Sequence, residues 1–481
     1  MQHTNQQFDV IISGGGLSGS LMALSLSKLT KPNGQSLSIA IIEARAQTTT
    51  GKNSPHDLFD ARVLALSHGS ANYLNSLGVW PLIKNDACPI TNIDISDQGH
   101  FGKTRLSAAS QGVNALGYVM EMANLGKAQL TLLSEHIQTK KSYPNENATI
   151  TESSNSSSTN NVSNTKHNVF WFNGESVQAI NWHVKGDHSA SAGSAEKPVM
   201  EAEPNTGAQP NKSTNTNVTG VTVSLTSGKQ LTASLLLGCD GMQSPVRKLA
   251  NIAVESFDYQ QVALIANVAT TKNHHNKAFE RFTQNGPLAM LPLTAIPVPK
   301  SEVEHLMSTS RCSLVWTMTP KQAELLRTIS DSEFKQALEA AFGSYLGGIT
   351  HVGKRETFPL TLLHAKQQTK HRIALIGNAS HTIHPIAGQG FNLSLRDVQV
   401  MTENISSALA MGQDIGSFAG LQAYEMNRQQ DQRDIIALTD SLITLFANDF
   451  PPLVAGRNIA LQALNSVPLF KNALMKKTMG Y

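Results

Sequence analysis

A glycine-rich segment near the start of the chain has the residue types and spacing of a phosphate-binding turn. It reads Gly14-x-Gly16-x-x-Gly19 and directly follows an apolar stretch. The first glycine of such a turn permits a tight bend, the second lets the backbone approach a diphosphate, and the third lets a helix pack closely on the strand. Glu43 ends the next apolar stretch, where an acid can accept hydrogen bonds from ribose hydroxyls. The pattern predicts a dinucleotide site; the alternative is a structural turn with a surface glutamate.

Two later segments also pass from an apolar stretch into a glycine turn. In the middle of the chain, residues 235–238 lead into Asp240-Gly241. Taken alone, that segment is an ordinary strand, turn and helix with a capping aspartate. In the last third, residues 372–376 lead into Gly377-Asn378. We expect all three turns to converge on one large dinucleotide.

The residues after Gly377 could surround the reactive part of a cofactor. Backbone N–H groups at a helix start can stabilise partial negative charge, such as that on a reduced flavin ring. His381 and His384 lie just before this turn and are weak candidates for a base; the alternative is that both only pack and hydrogen-bond. No carboxylate or cysteine clusters with them in the sequence, so no metal site is predicted. A helix is predicted to begin near Asn392, after the turn that contains Pro385, Gly388, Gln389 and Gly390.

The elements that must position these residues alternate between strand and helix. Apolar, β-branched residues 8–13 and 37–42 predict buried parallel strands, with a helix over 17–29 between them. Helical patterns occupy 334–342 and continue from Asn392 to the C-terminus, with breaks at prolines 451, 452 and 468. Further strands are predicted over 168–172, 177–184, 221–225, 230–237, 261–268 and 312–318.

Composition excludes several classes of protein. The chain has 481 residues, of which 40% are apolar and 15% charged, and a net charge of +3. Such a small charge, without a basic run that contains aromatic residues, predicts no nucleic-acid partner. Three cysteines without short spacings favour a reducing compartment over a disulfide framework. Ser- and Asn-rich stretches within 141–170 and 186–217 are expected to be mostly disordered loops.

The expected location is the cytoplasm. Residues 1–7 are polar and carry no signal-peptide pattern. No apolar run approaches the ~18 residues that a membrane span needs. A peripheral position at the inner membrane face stays open, because an interfacial helix needs no such run. The apolar helices predicted over 435–446 and 453–464 could line a tunnel or lie at an interface, or they could simply pack on the nucleotide-binding domain.

Together the three glycine segments resemble those of the flavoprotein aromatic hydroxylases, the family of para-hydroxybenzoate hydroxylase. Members share an N-terminal glycine fingerprint, a mid-chain Asp-Gly and a late Gly-Asp, for which this chain has Gly377-Asn378. An amide can still hydrogen-bond a flavin ribose without the charge. Segments 60–67, 77–80, 280–293 and 384–397 resemble the ubiquinone-biosynthesis branch of that family. Segments 90–99, 115–117 and 478–480 are most similar to its 2-octaprenyl-6-methoxyphenol hydroxylases.

The resemblance implies roles for individual residues. Gly14, Gly16 and Gly19 would face the FAD diphosphate, and Glu43 would bind the adenosine ribose. Arg62 resembles an arginine that reaches toward the cofactor and gates its movement. The later positions would contact FAD as well: Asp240 and Gly241, which would also support NAD(P)H binding, Gly377 and Asn378 at the ribityl or diphosphate region, and Pro385, Gly388, Gln389, Gly390 and Asn392 around the flavin ring.

The resemblance also implies an α/β fold with a Rossmann-like FAD-binding domain, an inserted mixed-sheet substrate domain and a helical C-terminal region. The predicted division is 1–90 for the first part of the FAD-binding domain, 91–140 for a substrate-domain strand and the return, 141–217 for FAD-domain strands with the polar insertions, 218–255 for the Asp-Gly part, 256–365 for the substrate-domain sheet, 366–400 for the Gly-Asn part and 401–481 for C-terminal helices.

The activity implied is an FAD-dependent monooxygenase that uses NAD(P)H and O₂ to hydroxylate a polyprenylated phenol in ubiquinone biosynthesis. Association with a membrane surface or with a ubiquinone-synthesis complex would supply the apolar substrate. Three alternatives stay open: a sister hydroxylase acting on another ring position, a flavin reductase or dehydrogenase on the same fold, and a non-catalytic assembly subunit that keeps FAD only for structure.

Overall fold

The computed structural model describes residues 6–45, 62–137, 167–184, 218–295, 310–446, 450–466, 471–472, 475–476 and 479–480. Most of the two Ser- and Asn-rich stretches, which were predicted to be disordered, lies outside the described residues. The break predicted at Pro468 lies outside them as well.

Strands and helices alternate along the described chain. The strands are β1 Gln6–Ser13, β2 Ile39–Glu43, β3 Val63–Ser67, β4 Cys88–Ile90, β5 Asn92–Asp97, β6 Lys103–Ser107, β7 Gly117–Glu121, β8 Val169–Asn173, β9 Val177–Val184, β10 Val218–Leu225, β11 Gln230–Gly238, β12 Val254–Thr270, β13 Lys277–Thr283, β14 Gly286–Leu293, β15 Ser310–Met318, β16 Ile349–Val352, β17 Glu356–Ala365, β18 Thr369–Lys370, β19 Ile373–Leu375 and β20 His381–Thr382. The α-helices are α1 Leu17–Ser27, α2 His68–Ser76, α3 Trp80–Ile83, α4 Met122–Ser134, α5 Pro245–Leu249, α6 Pro320–Thr328, α7 Asp331–Phe342, α8 Gln389–Ala410, α9 Phe418–Phe446 and α10 Pro451–Ser466.

The first sheet carries the predicted βαβ unit. Its strand order is β18-β19-β11-β1-β2-β8, with β10 added to β11 and β9 added to β10. Strand β1 pairs in parallel with both β2 and β11. Its residues Val10, Ile11 and Ile12 are fully buried, because helices or strands cover both faces of the sheet. Parallel pairing brings the carboxyl ends of β1, β2 and β11, and therefore the turns that follow them, to one edge.

The second sheet is mixed and separate from the first. Its order is β20-β17-β12-β15-β14-β13-β5-β6, with β16 beside β12. We call the side that packs on α7 the outer face; it includes Leu264, Met290 and Leu314 against Phe334 and Leu338. The opposite side, which we call the inner face, is turned to the small sheet β3-β7-β4 and to the C-terminal helices. The fold class is confirmed, whereas the domain boundaries remain predictions.

The C-terminal helices pack on both sheets. Tyr424 of α9 is fully buried in the core of the first sheet and donates to the carbonyl of Leu375 at 3.2 Å. At the other end of α9, Phe446 stacks on Phe282 of the second sheet with ring centroids 3.5 Å apart. Arg457 of α10 forms a buried ion pair with Asp97 at 2.9 Å. In the described residues, no helix is long and apolar enough to cross a membrane.

Candidate functional site

The first glycine turn is held by contacts that only glycine permits at two of its positions. Gly14 has φ +96°, and a side chain there would place its Cβ 2.5 Å from the carbonyl oxygen of Cys239. A Cβ on Gly19 would lie 1.8 Å from the carbonyl oxygen of Gly14. These approaches pack α1 against the turn and bring β1 against the end of β11. Gly14 and Gly19 are therefore required by the fold of the turn itself.

Gly16 differs from both, because its backbone is ordinary and the space beside it is open. Its φ is −66°, and no atom lies within 4 Å of the position that a Cβ would take. That space belongs to a cavity of about 520 Å³ at the carboxyl edge of the first sheet. The cavity is lined by residues 13–16, 42–45, 175–177, 239–241 and 245. The residues fit a diphosphate here, since the backbone leaves room at the helix N-terminus where an anion is favoured.

Glu43 lies at this cavity, as its position after β2 predicts. One carboxylate oxygen accepts a hydrogen bond from the backbone N–H of Gly15 at 2.7 Å, and the other accepts one from the backbone N–H of Arg45 at 2.8 Å. The side chain is thus fixed beside the turn rather than directed at bulk solvent. Its contact with a ribose stays a prediction.

Asp240 brings an unsatisfied acceptor to the same cavity. Its Oδ2 accepts from the Ser13 hydroxyl at 3.2 Å and from the Val246 N–H at 3.1 Å. Its Oδ1 is buried and has no hydrogen-bond partner among the described residues. Burial raises the pKa of Asp240, against the opposing effect of hydrogen bonds from Ser244 and Val246. An orphaned buried oxygen needs a donor, and a nucleotide hydroxyl or amide would supply one.

The third segment meets the first through Gly377. This residue has φ +61°, and a Cβ there would lie 2.9 Å from the Ser394 hydroxyl and 3.1 Å from the Ser18 hydroxyl. The Gly377 turn therefore lies between the first turn of α1 and the second turn of α8, next to the first glycine turn. Asn378 is exposed, so its amide is accessible to a ligand. The structure thus brings together turns that are distant in sequence.

A buried carboxylate that the sequence did not reveal holds the Gly377 turn in place. Asp397 accepts from the Gly377 N–H at 2.9 Å and from His381 Nε2 at 2.8 Å. Its other oxygen accepts from Arg428 Nε at 2.7 Å and from Gln432 Nε2 at 3.1 Å. Burial alone would raise the pKa of Asp397, but the charges of His381 and Arg428 outweigh it and hold that pKa well below its usual range.

The turn around Gly388 is wedged against β3. Helix α8 begins at Gln389, three residues before the predicted start near Asn392, because the backbone of Gly388 at φ +61° already initiates it. A Cβ on Gly388 would lie 2.7 Å from Cβ of Ala65. Gly390 therefore lies inside the first turn of α8. Gln389 is buried, and Pro385 directly precedes the short 3₁₀ turn Ile386–Gly388.

Asn392 uses all of its hydrogen-bonding capacity within the protein. Its Oδ1 accepts from the Ser67 N–H and the Ser70 hydroxyl, both at 2.8 Å. Its Nδ2 donates to the carbonyls of Ala65 and Gly388, also at 2.8 Å. The predicted role of this side chain in holding the cofactor therefore changes to positioning: it ties the Gly388 turn to β3.

Arg62 and His384 contribute less to the geometry of the site than His381 does. Arg62 is exposed, and its carbonyl accepts from the Met122 N–H at 3.3 Å; its predicted contact with the cofactor stays a prediction. His384 Nδ1 accepts from the Ile386 N–H at 3.3 Å, and burial lowers the pKa of His384 to about 4, so the ring is neutral near pH 7. No group of three His, Cys, Asp or Glu side chains in the described residues could hold a metal ion.

Comparison with known proteins adds families and relatives to this geometry. The sequence model of a family described as "FAD binding domain" matches residues 189–439. The ubiquinone hydroxylase UbiL of Rhodospirillum rubrum is 28% identical over 480 residues, which cover 98% of this chain and 89% of that protein. The 3-demethoxyubiquinol 3-hydroxylase of Escherichia coli K12 is 26% identical, over 99% of this chain and 100% of that protein.

Solved structures share the fold at lower identity. PqsL of P. aeruginosa, in complex with 2-aminobenzoylacetate, superposes with a TM-score of 0.64 at 16% identity, over 95% of this chain and 100% of that one. HpxO of Klebsiella pneumoniae, complexed with FAD and uric acid, gives 0.61 at 14% identity, over 99% and 98%. At such identities these likenesses show the architecture alone.

Proposed function

The chain belongs to the FAD binding domain family, and from that premise we propose that it hydroxylates a polyprenylated phenol in ubiquinone biosynthesis, with NAD(P)H as the reductant. It is an FAD-dependent monooxygenase of the aromatic hydroxylase type. The specific substrate proposed is a 2-polyprenyl-6-methoxyphenol. The observation that carries the proposal is the near full-length match to proteins named as ubiquinone-pathway hydroxylases.

The residues of the chain would hold FAD and exclude water from it. Bound FAD supplies the activation of O₂ and the oxygen atom that enters the ring. Gly16, Glu43 and Asp240 line the cavity that would hold the nucleotide end. The Gly388 turn, held by Asn392, would support the flavin ring with backbone N–H groups at the start of α8.

The second sheet offers an apolar surface for the ring and its tail. Ile265, Ala289, Leu291 and Val315 of the inner face are half-buried and apolar. Leu442 of α9 packs with the inner-face cluster that contains Phe282. A prenyl chain would gain hydrophobic stabilisation by covering these side chains.

Helix α10 supports the proposal that the substrate arrives from a lipid bilayer. The exposed residues from Pro451 to Ala463 are uncharged and include Leu453 and Ile459, which are 42% and 61% exposed. The charge of Arg457 is buried against Asp97, so the outward side of the helix carries no charge and, apart from Gln462, is apolar. A double Leu453→Ser, Ile459→Ser variant should reduce flotation with liposomes, whereas a Leu325→Ser variant on α6 should float as the wild type does. Equal flotation of all three proteins would contradict bilayer association.

The activity is tested by the mass of the product. Purified protein should show a flavin absorption spectrum and, with NAD(P)H, ¹⁸O₂ and a 2-polyprenyl-6-methoxyphenol, should form a product that contains one ¹⁸O atom. A panel of pathway phenols would distinguish a sister hydroxylase by the ring position labelled. Consumption of NAD(P)H without labelled product would instead identify a reductase, and bound FAD without either reaction would identify an assembly subunit.

A further inference from the structure

Glu280 lies at the centre of the inner face of the second sheet. Strand β13 pairs it with Ala289 of β14 on one side and Ile95 of β5 on the other. Its strand neighbours Phe279 and Arg281 point to the outer face, where Phe279 meets Phe342 of α7 edge to face, with ring centroids 5.6 Å apart. Because side chains alternate along a strand, Glu280 points the other way.

The residues on either side of Glu280 show what the inner face meets. Ala278 packs in a cluster with Ile90 and Val119 of the small sheet. Phe282 stacks on Phe446 of α9. Glu280 is therefore placed between the small sheet and the C-terminal helices, on the side of the sheet that faces the nucleotide-binding domain.

A row of partly accessible residues crosses the inner face of the second sheet at Glu280. Pairing places Ile265, Val315, Ala289, Glu280 and Ile95 in one cross-strand row. All five keep accessible surface, although each lies in a strand paired on both sides. The flanking inner-face residues Phe282 and Ser313 are buried. The row therefore lines a cleft over the inner face.

Glu280 is the polar member of this row, and the described residues leave its carboxyl without a hydrogen bond or an ion pair. Burial raises the pKa of Glu280 to about 7. Glu280 keeps part of its surface accessible on this row, so a ligand that covers the row can reach its carboxyl.

The charged groups that approach from neighbouring elements are already paired. Asp97 of β5 pairs with Arg457 of α10, both buried. Arg311 of β15 pairs with Glu121 of β7 at 2.9 Å. On the α9 side, Tyr259 donates to Asp440, and the neutral His384 ring packs edge to face on Tyr259. Among the described residues, none of these groups is left as a counter-charge for Glu280.

A second inner-face group also lacks a partner. Ser313 is fully buried, and its hydroxyl has no hydrogen-bond partner among the described residues. Register places Ser313 beside Leu291, two residues along β14 from Ala289. Unsatisfied groups on Glu280 and Ser313, set among the apolar side chains of this row, indicate a ligand that is mostly apolar and carries oxygen atoms.

Building on the proposed function, we propose that Glu280 is the base that accepts the phenolic proton of the substrate. The phenol O–H bond breaks, a carboxyl O–H bond forms, and the electron pair stays on the phenol oxygen, which activates the ring carbons ortho and para to it. After oxygen transfer, the attacked carbon releases its hydrogen as a proton to solvent. Loss of that proton restores the aromatic ring, and Glu280 then returns its own proton to the phenol oxygen, which restores the carboxylate.

The surroundings of Glu280 suit this task. A base works best when its pKa lies near the working pH, because it is then both deprotonated and able to hold a proton. An ordinary carboxylate is too weak a base for a phenol. The apolar cleft makes the Glu280 carboxylate a stronger base, because it disfavours the charged form and so raises the pKa. The same apolar surface would accommodate the prenyl tail.

The test combines turnover with a measurement that needs no turnover. In Glu280→Gln, the side chain keeps its size but cannot accept the proton, so hydroxylation of 2-methoxy-6-prenylphenol should fall about 10²–10⁴-fold. The wild-type rate should rise with pH through about 7, and the variant should lack that rise. Without NAD(P)H, the ¹⁹F signal of a bound fluorinated 2-methoxy-6-prenylphenol should shift as the pH rises through about 7 in the wild type, because the Glu280 carboxylate then accepts a hydrogen bond from the phenol, and this step should be absent in the variant.

The controls separate the failure of this proposal from the failure of the proposed function. Glu255→Gln alters an exposed carboxylate of β12 and should behave as the wild type does. If the wild type makes no labelled product from any prenylated phenol, the proposed function is wrong. If the wild type makes product and Glu280→Gln matches its rate, pH profile and ¹⁹F titration, the role of Glu280 is wrong and the function stands.

A loss of activity through the chemistry can be distinguished from a loss through misfolding. FAD content and melting temperature should accompany each measurement. If Glu280→Gln melts early, Glu280→Asp replaces it, because it keeps a carboxylate one methylene further from the substrate. That variant should retain the rise of rate with pH at a lower plateau, and a flat profile with an intact FAD complement would overturn the proposal.

Discussion

Two carboxyl groups, one in each half of the proposed active site, have opposite surroundings: Asp397 is fully buried, whereas Glu280 keeps part of its surface accessible. Asp397 lies below the Gly377 turn and accepts four hydrogen bonds, one of them from the guanidinium of Arg428. Glu280 lies on the inner face of the second sheet among apolar side chains. The pKa of the first is held well below its usual range, and that of the second is raised to about 7.

The difference separates a region that would hold the cofactor from a region that would react with the substrate. Around Asp397 the donors are supplied by the Gly377 turn, β20 and α9, so the carboxylate stays charged and fastens the turn. Around Glu280 the described residues supply no donor, so the carboxyl changes its charge easily near neutral pH. Environments that push two carboxyl pKa values apart are typical of sites that assign different roles to identical groups.

The largest expected effect comes from breaking the Asp397 cluster. Asp397→Asn should lower the free energy of unfolding by roughly 3–5 kcal/mol, because Arg428 would remain buried without its counter-charge. Chemical denaturation with FAD release as a second readout would measure this. The double variant Asp397→Asn, Arg428→Met removes both charges and should recover part of the loss; no recovery would show that the charge pairing is not the cause.

A smaller effect of opposite sign is expected at Glu280. Because its folded pKa is raised from about 4.5 to about 7, its ionisation destabilises the folded state increasingly as pH rises between these values and fully above them. Glu280→Gln should therefore be more stable than the wild type at pH 8, by up to roughly 3 kcal/mol, with the gain shrinking toward pH 5. Denaturation at several pH values checks this, and a gain independent of pH would contradict it.

Asp397 should show the reverse dependence on pH. Its depressed pKa contributes stability that is present above about pH 4 and is lost as pH falls further through the folded value. The stability difference between wild type and Asp397→Asn should thus be constant from pH 5 to pH 8 and shrink below pH 4. Acid titration of both proteins followed by circular dichroism measures it.

A change at the first glycine turn tests the holding region directly. Gly16→Ala fills open space without a clash in the protein, so FAD affinity should fall about tenfold or more while the apoprotein keeps its melting temperature. Gly19→Ala is the matched control, because its Cβ meets the Gly14 carbonyl and should destabilise the apoprotein as well. Unchanged FAD affinity in Gly16→Ala would place the diphosphate elsewhere.

The smallest effect is expected away from both regions. Glu324 and Arg327 form an ion pair on the surface of α6, with both side chains largely exposed. Glu324→Gln should leave the melting temperature unchanged, since exposed pairs are screened by solvent and salt. A measurable fall in the melting temperature of Glu324→Gln would mean that the larger effects at Asp397 and Glu280 cannot be assigned to burial.

Much of the nucleotide-binding half could be predicted because its signals are local. The strand before Gly14, the helix after it and the strand that ends at Glu43 follow from apolar patterning and turn chemistry within about 40 residues. The start of α8 was predicted three residues late, because Gly388, whose left-handed backbone lies close to Ala65, already initiates the helix. Asn392 was assigned to the cofactor for the same lack of three-dimensional context.

Sequence alone determined the three glycine turns, because each depends on a few neighbouring residues, and the resemblance of these turns to those of a known family implied the class of fold and the cofactor. Only the tertiary structure decided which carboxylates are paired and which is bare. Asp397 meets Arg428 because α8 packs on α9, and Glu280 meets no donor because the strands beside it present alanine and isoleucine at that register. The burial and the hydrogen-bond partners of a side chain depend on segments that are distant in the sequence, so they cannot be predicted from a local pattern.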